Sequence, residues 1–178
     1  MMISFIVLLP TFFAISPNPE TLQFEFNQDQ NWQVILDNVM GGRSEGEVSY
    51  EQGIMRFSGK LSLENNGGFA SIRSPYGSHD FANLSEAVIR YRGTGGEFAI
   101  VLEDAEPFYE PKYRCTLKLN DDWREVSIPL SDFRAHRLGQ PLQYAFDPAG
   151  KPVLRVGFIK ADKRTEPFRI EVDYLRFR

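Results

Sequence analysis

The period of the apolar residues constrains this chain more than any other feature. Leu22, Phe24 and Phe26 alternate with polar neighbours, as do Met55 with Phe57 and Leu61 with Leu63. Tyr113, Cys115, Leu117 and Leu119 alternate against Arg114, Thr116 and Lys118. Val126 and Ile128, then Val156 and Phe158, then Phe168, Ile170 and Val172 continue the pattern. A period of two sends successive side chains to opposite faces of a pleated strand. These segments therefore read as half-buried antiparallel strands, one face in a core and one in water. No run of about twelve residues keeps a helical apolar stripe without a Gly or Pro inside it. Short helical turns at 83–86 and 129–133 are the only helical segments expected. Turn-forming clusters at 37–42, 52–53, 65–68, 93–96, 120–122 and 148–152 separate the strands. About ten short strands at this spacing, with no strand–helix alternation, predict an all-β chain: one β-sandwich of jelly-roll type. A chain of 178 residues has room for one such domain, over 17–178, and not for two of ordinary size.

The aromatic supply agrees. The 15 Phe residues, with Tyr and Trp, bring aromatics to 13% of the chain, which suits a broad interior between two sheets. The last strand has one irregularity. Its inward positions are even through Val172, yet Leu175 and Phe177 are odd, so either both faces are covered there or a bulge near Asp173 shifts the phase. The first residues stand apart, because 1–16 carry no charged side chain. Their apolar run of about 13 residues is short for a membrane span and has the length of a signal-peptide core. Ala14 and Ser16 supply small residues for a cleavage site. Residues 1–16 are expected to be a signal peptide or an N-terminal anchor. The domain would then be exported or membrane-tethered, with a cytoplasmic location as the alternative. Any membrane contact is expected through 1–16 alone.

Charge and residue scarcity exclude several functions. Lys and Arg total 20 against 24 for Asp and Glu, a net charge of −4 with no basic run. Nucleic-acid binding through phosphate neutralisation is not expected from such a chain. One cysteine, Cys115, cannot form an internal disulfide or a cysteine-rich zinc cage. Two histidines, His79 and His136, leave little for a histidine metal site, and neither metal nor cofactor is expected. Residues 42–46 match G-x-S-x-G around Ser44, but that motif needs a strand–turn–helix and a nearby histidine. The following 47–50 reads as strand, so the hydrolase reading is rejected and no catalytic set is expected. Gly93 to Gly96 precedes a strand and reads as a hairpin turn rather than a phosphate cradle. Glu103, Asp104, Glu106 and Glu110 form an acidic cluster whose spacing matches no calcium loop, and a solvated loop is expected. Asp173 stays open between calcium ligand and bulge residue. Cys115 reads as a buried small hydrophobe, and the two histidines as surface residues. Arg134, His136 and Arg137 make a basic spot the size of one anionic group. Phe108, Tyr109, Tyr144 and Phe146 fall in expected loops. They either stack on sugar rings or anchor a protein partner, or they fold back to cap the open ends of the sandwich.

Two stretches carry a resemblance. Asp37-Asn38-Val39-Met40-Gly41-Gly42-Arg43-Ser44, and Leu63-Glu64-Asn65-Asn66-Gly67-Gly68-Phe69-Ala70 running on to Ser74, closely resemble the signature stretches of the complex I intermediate-associated protein 30 family. Shorter matches follow in order: Trp123 to Val126, Ile128 to Phe133, Gly157 to Lys163 and Phe168 to Asp173. The resemblance implies a galactose-binding-domain-like jelly roll and a non-enzymatic, protein-binding domain of assembly-factor type. The alternative is a carbohydrate-binding module of galactose-binding-like fold. The family implies no catalytic residues. Within the signatures, the glycine pairs permit positive φ and close backbone approach. Asn38, Asn65 and Asn66 can tie loops through side-chain hydrogen bonds, and Arg43 and Arg73 can grip a carboxylate. With Phe108 and Tyr109 these are the candidate binding residues; loop scaffolding is the competing reading of the same motifs.

Overall fold

The computed structural model describes residues 21–26 and 31–178. The expectation for residues 1–16 lies outside the described residues. The described residues form thirteen strands in sequence: β1 Leu22–Phe24, β2 Gln33–Leu36, β3 Glu45–Glu51, β4 Ile54–Lys60, β5 Ala70–Arg73, β6 Glu86–Thr94, β7 Glu97–Glu103, β8 Lys112–Lys118, β9 Arg124–Pro129, β10 Arg134–Arg137, β11 Gln140–Ala145, β12 Arg155–Lys160 and β13 Pro167–Phe177. They form two antiparallel sheets. One runs β3-β4-β13-β6-β9 with β1 added on β13, and the other runs β11-β10-β8-β7-β12-β5-β2. Among the described residues helix is confined to three 3-10 turns, Asp37–Met40, Glu64–Asn66 and Leu130–Asp132. The third falls within the expected turn at 129–133. The segment 83–86 is not helical: a turn at 82–83 leads directly into β6.

The change of phase in the last strand is a bulge. Val172 faces Tyr91 and Tyr174 faces Arg90, so Asp173 is the extra residue. Before the bulge β13 pairs with β4, and after it the same edge pairs with β1. Phe168, Ile170 and Val172 on one side of the bulge, and Leu175 and Phe177 on the other, thereby all reach the core. The Asp173 carboxylate pairs with Arg90.

Among the described residues ten Phe are buried between the sheets. Phe24, Phe26 and Phe158 surround Trp32, Phe57 meets Phe98 and Phe168, and Phe81 joins Phe146 to Phe177. Most of these rings meet edge-on or tilted, the arrangement their quadrupoles favour. Each fully buried ring stabilises the fold by about 1.5–3 kcal/mol of transfer free energy. Phe146, read from the sequence as a loop aromatic, is 5% exposed and closes the core against Phe81 and Tyr113. Cys115 is half-buried and lies against the core. Neither histidine is fully exposed: His79 packs edge-on against Phe24 and pairs with Val153 in an isolated bridge.

Candidate functional site

The two signature stretches are loops, and one buried carboxylate joins them. After β2 the chain enters the 3-10 turn Asp37–Met40, which Gly41 ends at φ 86°. After β4 it enters the turn Glu64–Asn66, where Asn65 and Asn66 hold φ of 54° and 61°. Asn tolerates this left-handed region better than other residues with a Cβ, which accounts for both positions. Asp37 is 1% exposed. Its Oδ1 accepts the Ser44 backbone N–H at 2.9 Å, and its Oδ2 accepts the Ser44 hydroxyl at 2.5 Å and the Gly68 N–H at 2.6 Å. The Ser44 hydroxyl oxygen in turn accepts the Ser62 N–H at 3.0 Å. Burial pushes the Asp37 carboxyl up, but the Ser44 hydroxyl and the N–H groups of Gly68, Ser44 and Phe69 outweigh it. The group ends below its ordinary value. Such donors replace the lost water around a buried charge.

The glycine pairs divide two tasks around this carboxylate. Gly41 and Gly68 supply positive φ, 86° and 114°. Gly42 and Gly67 supply space: a Cβ on Gly42 would overlap the Asp37 carboxylate, and one on Gly67 would stand 2.6 Å from Asp37 Oδ2. Ser44 is committed to the same junction, and neither histidine hydrogen-bonds to it, which retires the G-x-S-x-G reading.

Four of the sequence candidates gather here. Asn65 Nδ2 donates to the Gly41 carbonyl at 2.9 Å, and Arg43 pairs with Glu64 at 2.9 Å across the exposed junction. Asn38 and Asn66 are exposed on the same two turns. Beside them stand three exposed apolar side chains: Val39 (73% exposed) and Met40 (72%), which the sequence reading passed over, and Leu63 (47%), which it placed in a strand with Leu61 although β4 ends at Lys60. Both turns, and so all three side chains, are held by the Asp37 junction.

Arg73 lies elsewhere, on the outer face of the seven-stranded sheet. Its Nε donates to Glu103 Oε1 at 2.6 Å, and Lys112 approaches Glu103 Oε2 at 3.7 Å. Arg73 and Glu103 are both buried, so Glu103 is not the solvated loop acid expected from the sequence. Arg155, also buried, donates to the Ser74 carbonyl at 2.9 Å and lies over the Tyr76 ring at 4.5 Å. Phe108 and Tyr109 sit in the connection between β7 and β8, exposed and edge-to-face with ring centres 5.6 Å apart. The seven sequence candidates thus occupy three places rather than one. Among the described residues, no three His, Cys, Asp or Glu side chains gather as a metal set.

Two antiparallel sheets closed over an aromatic core, with irregular chain at the sandwich ends, define a jelly roll of the galactose-binding-like class. Solved structures agree. The family 11 carbohydrate-binding module of the cellulosomal cellulase Lic26A-Cel5E from Clostridium thermocellum superposes with a TM-score of 0.66 at 14% identity, over 90% of this chain and 95% of that one. The family 11 module in complex with a β-1,3-1,4-mixed-linked tetrasaccharide gives 0.63 at 14% identity, over 88% and 94%. At these identities the likeness is one of fold. The complex I intermediate-associated protein 30 family matches residues 22–172, and the chain belongs to that family. The mouse mitochondrial complex I intermediate-associated protein 30 is 26% identical over 176 residues, covering 86% of this chain. The chain spans 54% of that relative's length.

Proposed function

We propose that this chain is a non-enzymatic protein-binding domain of assembly-factor type, acting on a membrane or respiratory complex, and that its docking surface is the tip of the two joined signature loops. The observation that carries the reading is the exposure of Val39, Met40 and Leu63 on turns locked by Asp37. Single exposed apolar residues are ordinary, but three on two turns joined through one carboxylate give partners an apolar surface to cover. Rigidity matters because a preorganised surface loses less entropy on association. Family membership supports a protein partner. A photo-crosslinking side chain at position 40, used in the native cell, is expected to capture one dominant subunit of a membrane complex. V39D/M40D, with unchanged folding, should abolish complex formation with that subunit. Capture spread evenly over abundant proteins, or a double variant that still associates, would remove the proposal.

A second reading, a carbohydrate-binding module, is favoured by the exposed Phe108 and Tyr109 rings, which suit stacking on sugars. Calorimetry with mixed-linked β-glucan oligosaccharides tests it. Binding that F108A and Y109A abolish would establish this reading, and no heat of binding would end it.

A further inference from the structure

The two sheets handle charge differently. On the outer face of the six-stranded sheet four arginines meet carboxylates, Glu171 taking Arg56 and Arg92, Asp173 taking Arg90 and Asp121 taking Arg169, while Arg176 lies over the Tyr174 ring. On the outer face of the seven-stranded sheet, the ladder register gathers six cations, Arg73, Arg155, Lys112, Arg114, Lys118 and Arg134, against two carboxylates, Glu97 and Glu103. This excess of positive charge stands on a chain of net charge −4. Both oxygens of Glu103 are already engaged by Arg73 and Lys112.

Arg114, like Arg134, is left without a carboxylate, since Glu103 is taken by Arg73 and Lys112. It lies in one row with Arg73 and Arg134, through Gly157 and Val101. It makes no ion pair, and its Nε is shut off from solvent without an acceptor. Burial, and then the positive charge of Arg73, lower the Arg114 guanidinium to about 10, with Glu103 opposing. Burial likewise lowers Arg73 and Lys112 despite Glu103. Beside Arg114 a groove of about 230 Å³ is lined by Ala99, Ile159, Thr116 and His136. Asp162 and Glu97 also border it, but Asp162 is paired with Lys160 at 2.5 Å and accepts the Glu97 N–H at 2.9 Å. His136 Nδ1–H donates to the Arg134 carbonyl at 3.0 Å, which orients the ring on the strand that carries Arg134.

We propose that this groove binds a small oxyanion, the carboxylate or phosphate group of a soluble ligand, gripped by Arg114 with Arg134 and the Thr116 hydroxyl beside it. A planar guanidinium presents paired N–H donors that match two oxygens of either group. An anion there meets the Arg114 guanidinium and offsets the repulsion among Arg73, Arg114 and Lys112. The groove admits one such group with a short stem and is too small for a nucleic-acid duplex.

The test is an NMR titration of the full chain with inorganic phosphate, and separately with malonate, each against sodium chloride at matched ionic strength. Saturable shifts are expected at the Arg114 Nε–H, at Thr116 and at His136 with at least one anion, and the arm that saturates identifies which oxyanion is preferred. R114Q should weaken binding at least tenfold. R134Q, an exposed position that leaves the core untouched, should also weaken it, while R176Q on the opposite sheet should not. Shifts no larger than those in chloride, or binding that both R114Q and R134Q leave unchanged, would overturn the proposal. The outcome is independent of the loop-tip docking surface, which shares none of these residues.

Discussion

Replacing Asp37 by Ala removes the buried carboxylate that holds the two signature loops together, and the structure sets the size of the effect. Four donors lose their acceptor: the Ser44 N–H, the Ser44 hydroxyl and the Gly68 N–H, at 2.9, 2.5 and 2.6 Å, and the Phe69 N–H at 3.4 Å. The site is almost closed to solvent, with Asp37 1% and Ser44 5% exposed, so water replaces the carboxylate poorly. Each orphaned buried donor costs about 1–3 kcal/mol, and local relaxation recovers part of it, for a loss of about 3–6 kcal/mol. Against a typical domain stability of about 5–15 kcal/mol this is a large fraction. At this chain length a loss of about 4 kcal/mol lowers Tm by roughly 8–16 °C. Urea unfolding followed by the fluorescence of buried Trp32 measures it. D37N should lose less, because its amide keeps one acceptor oxygen while turning N–H groups toward a donor. S44A should lose about 1–2 kcal/mol, and the D37A/S44A cycle should show coupling of about 0.5–3 kcal/mol. A D37A midpoint within about 1 kcal/mol of the parent would refute the reasoning, since orphaned buried donors cannot be that inexpensive.

Other expectations follow from the same contacts. The Asp37 carboxyl titrates below its unfolded value, so its stabilisation is complete above about pH 4 and is lost as pH falls through the depressed folded value. Urea midpoints across that acid range should therefore decline less steeply in D37N than in the parent; identical slopes would count against the linkage. Gly68→Val places a branched side chain at φ 114° and against Leu63, for a loss of about 1–3 kcal/mol readable by calorimetry. Glu103→Gln leaves Arg73 buried without its counter-charge, and a loss of about 3–5 kcal/mol in urea is expected. Burial, and then the Asp132 charge, push the Cys115 thiol up to about 11. Alkylation near neutral pH should be slow in the native protein and fast in denaturant, with equal rates contradicting the assigned environment.

The alternation of Phe168, Ile170 and Val172, then of Leu175 and Phe177, placed the change of phase near Asp173, because the side-chain period of a strand is two and one inserted residue reverses it; the pairing with β6 decided for a bulge over two covered faces. The same period explains why the all-β jelly roll was legible before any coordinate. Apolar spacing is a local property, written along the chain, and so are the turn residues between strands. The glycine pairs were legible as tight loops, and Asn65 and Asn66 as loop residues, for the same reason. Asp37 was not legible as a hub. Its partners lie 7 and 31 residues away, and nothing local distinguishes a buried acceptor from a solvated turn acid. Glu103 read as part of an acidic loop because its cations, Arg73 and Lys112, come from strands on different sides of β7. The basic spot of Arg134, His136 and Arg137 was visible in sequence, but its continuation through Arg114 and Arg73 required strand order. Sequence by itself therefore determined the all-β class and many of the strands and turns, which depend on neighbours two residues apart, but it carried Leu63 into a strand and left Tyr144 of β11 in a loop. Only tertiary structure decided which loops share a carboxylate and which cations are left without one, because charge pairing depends on distance in space.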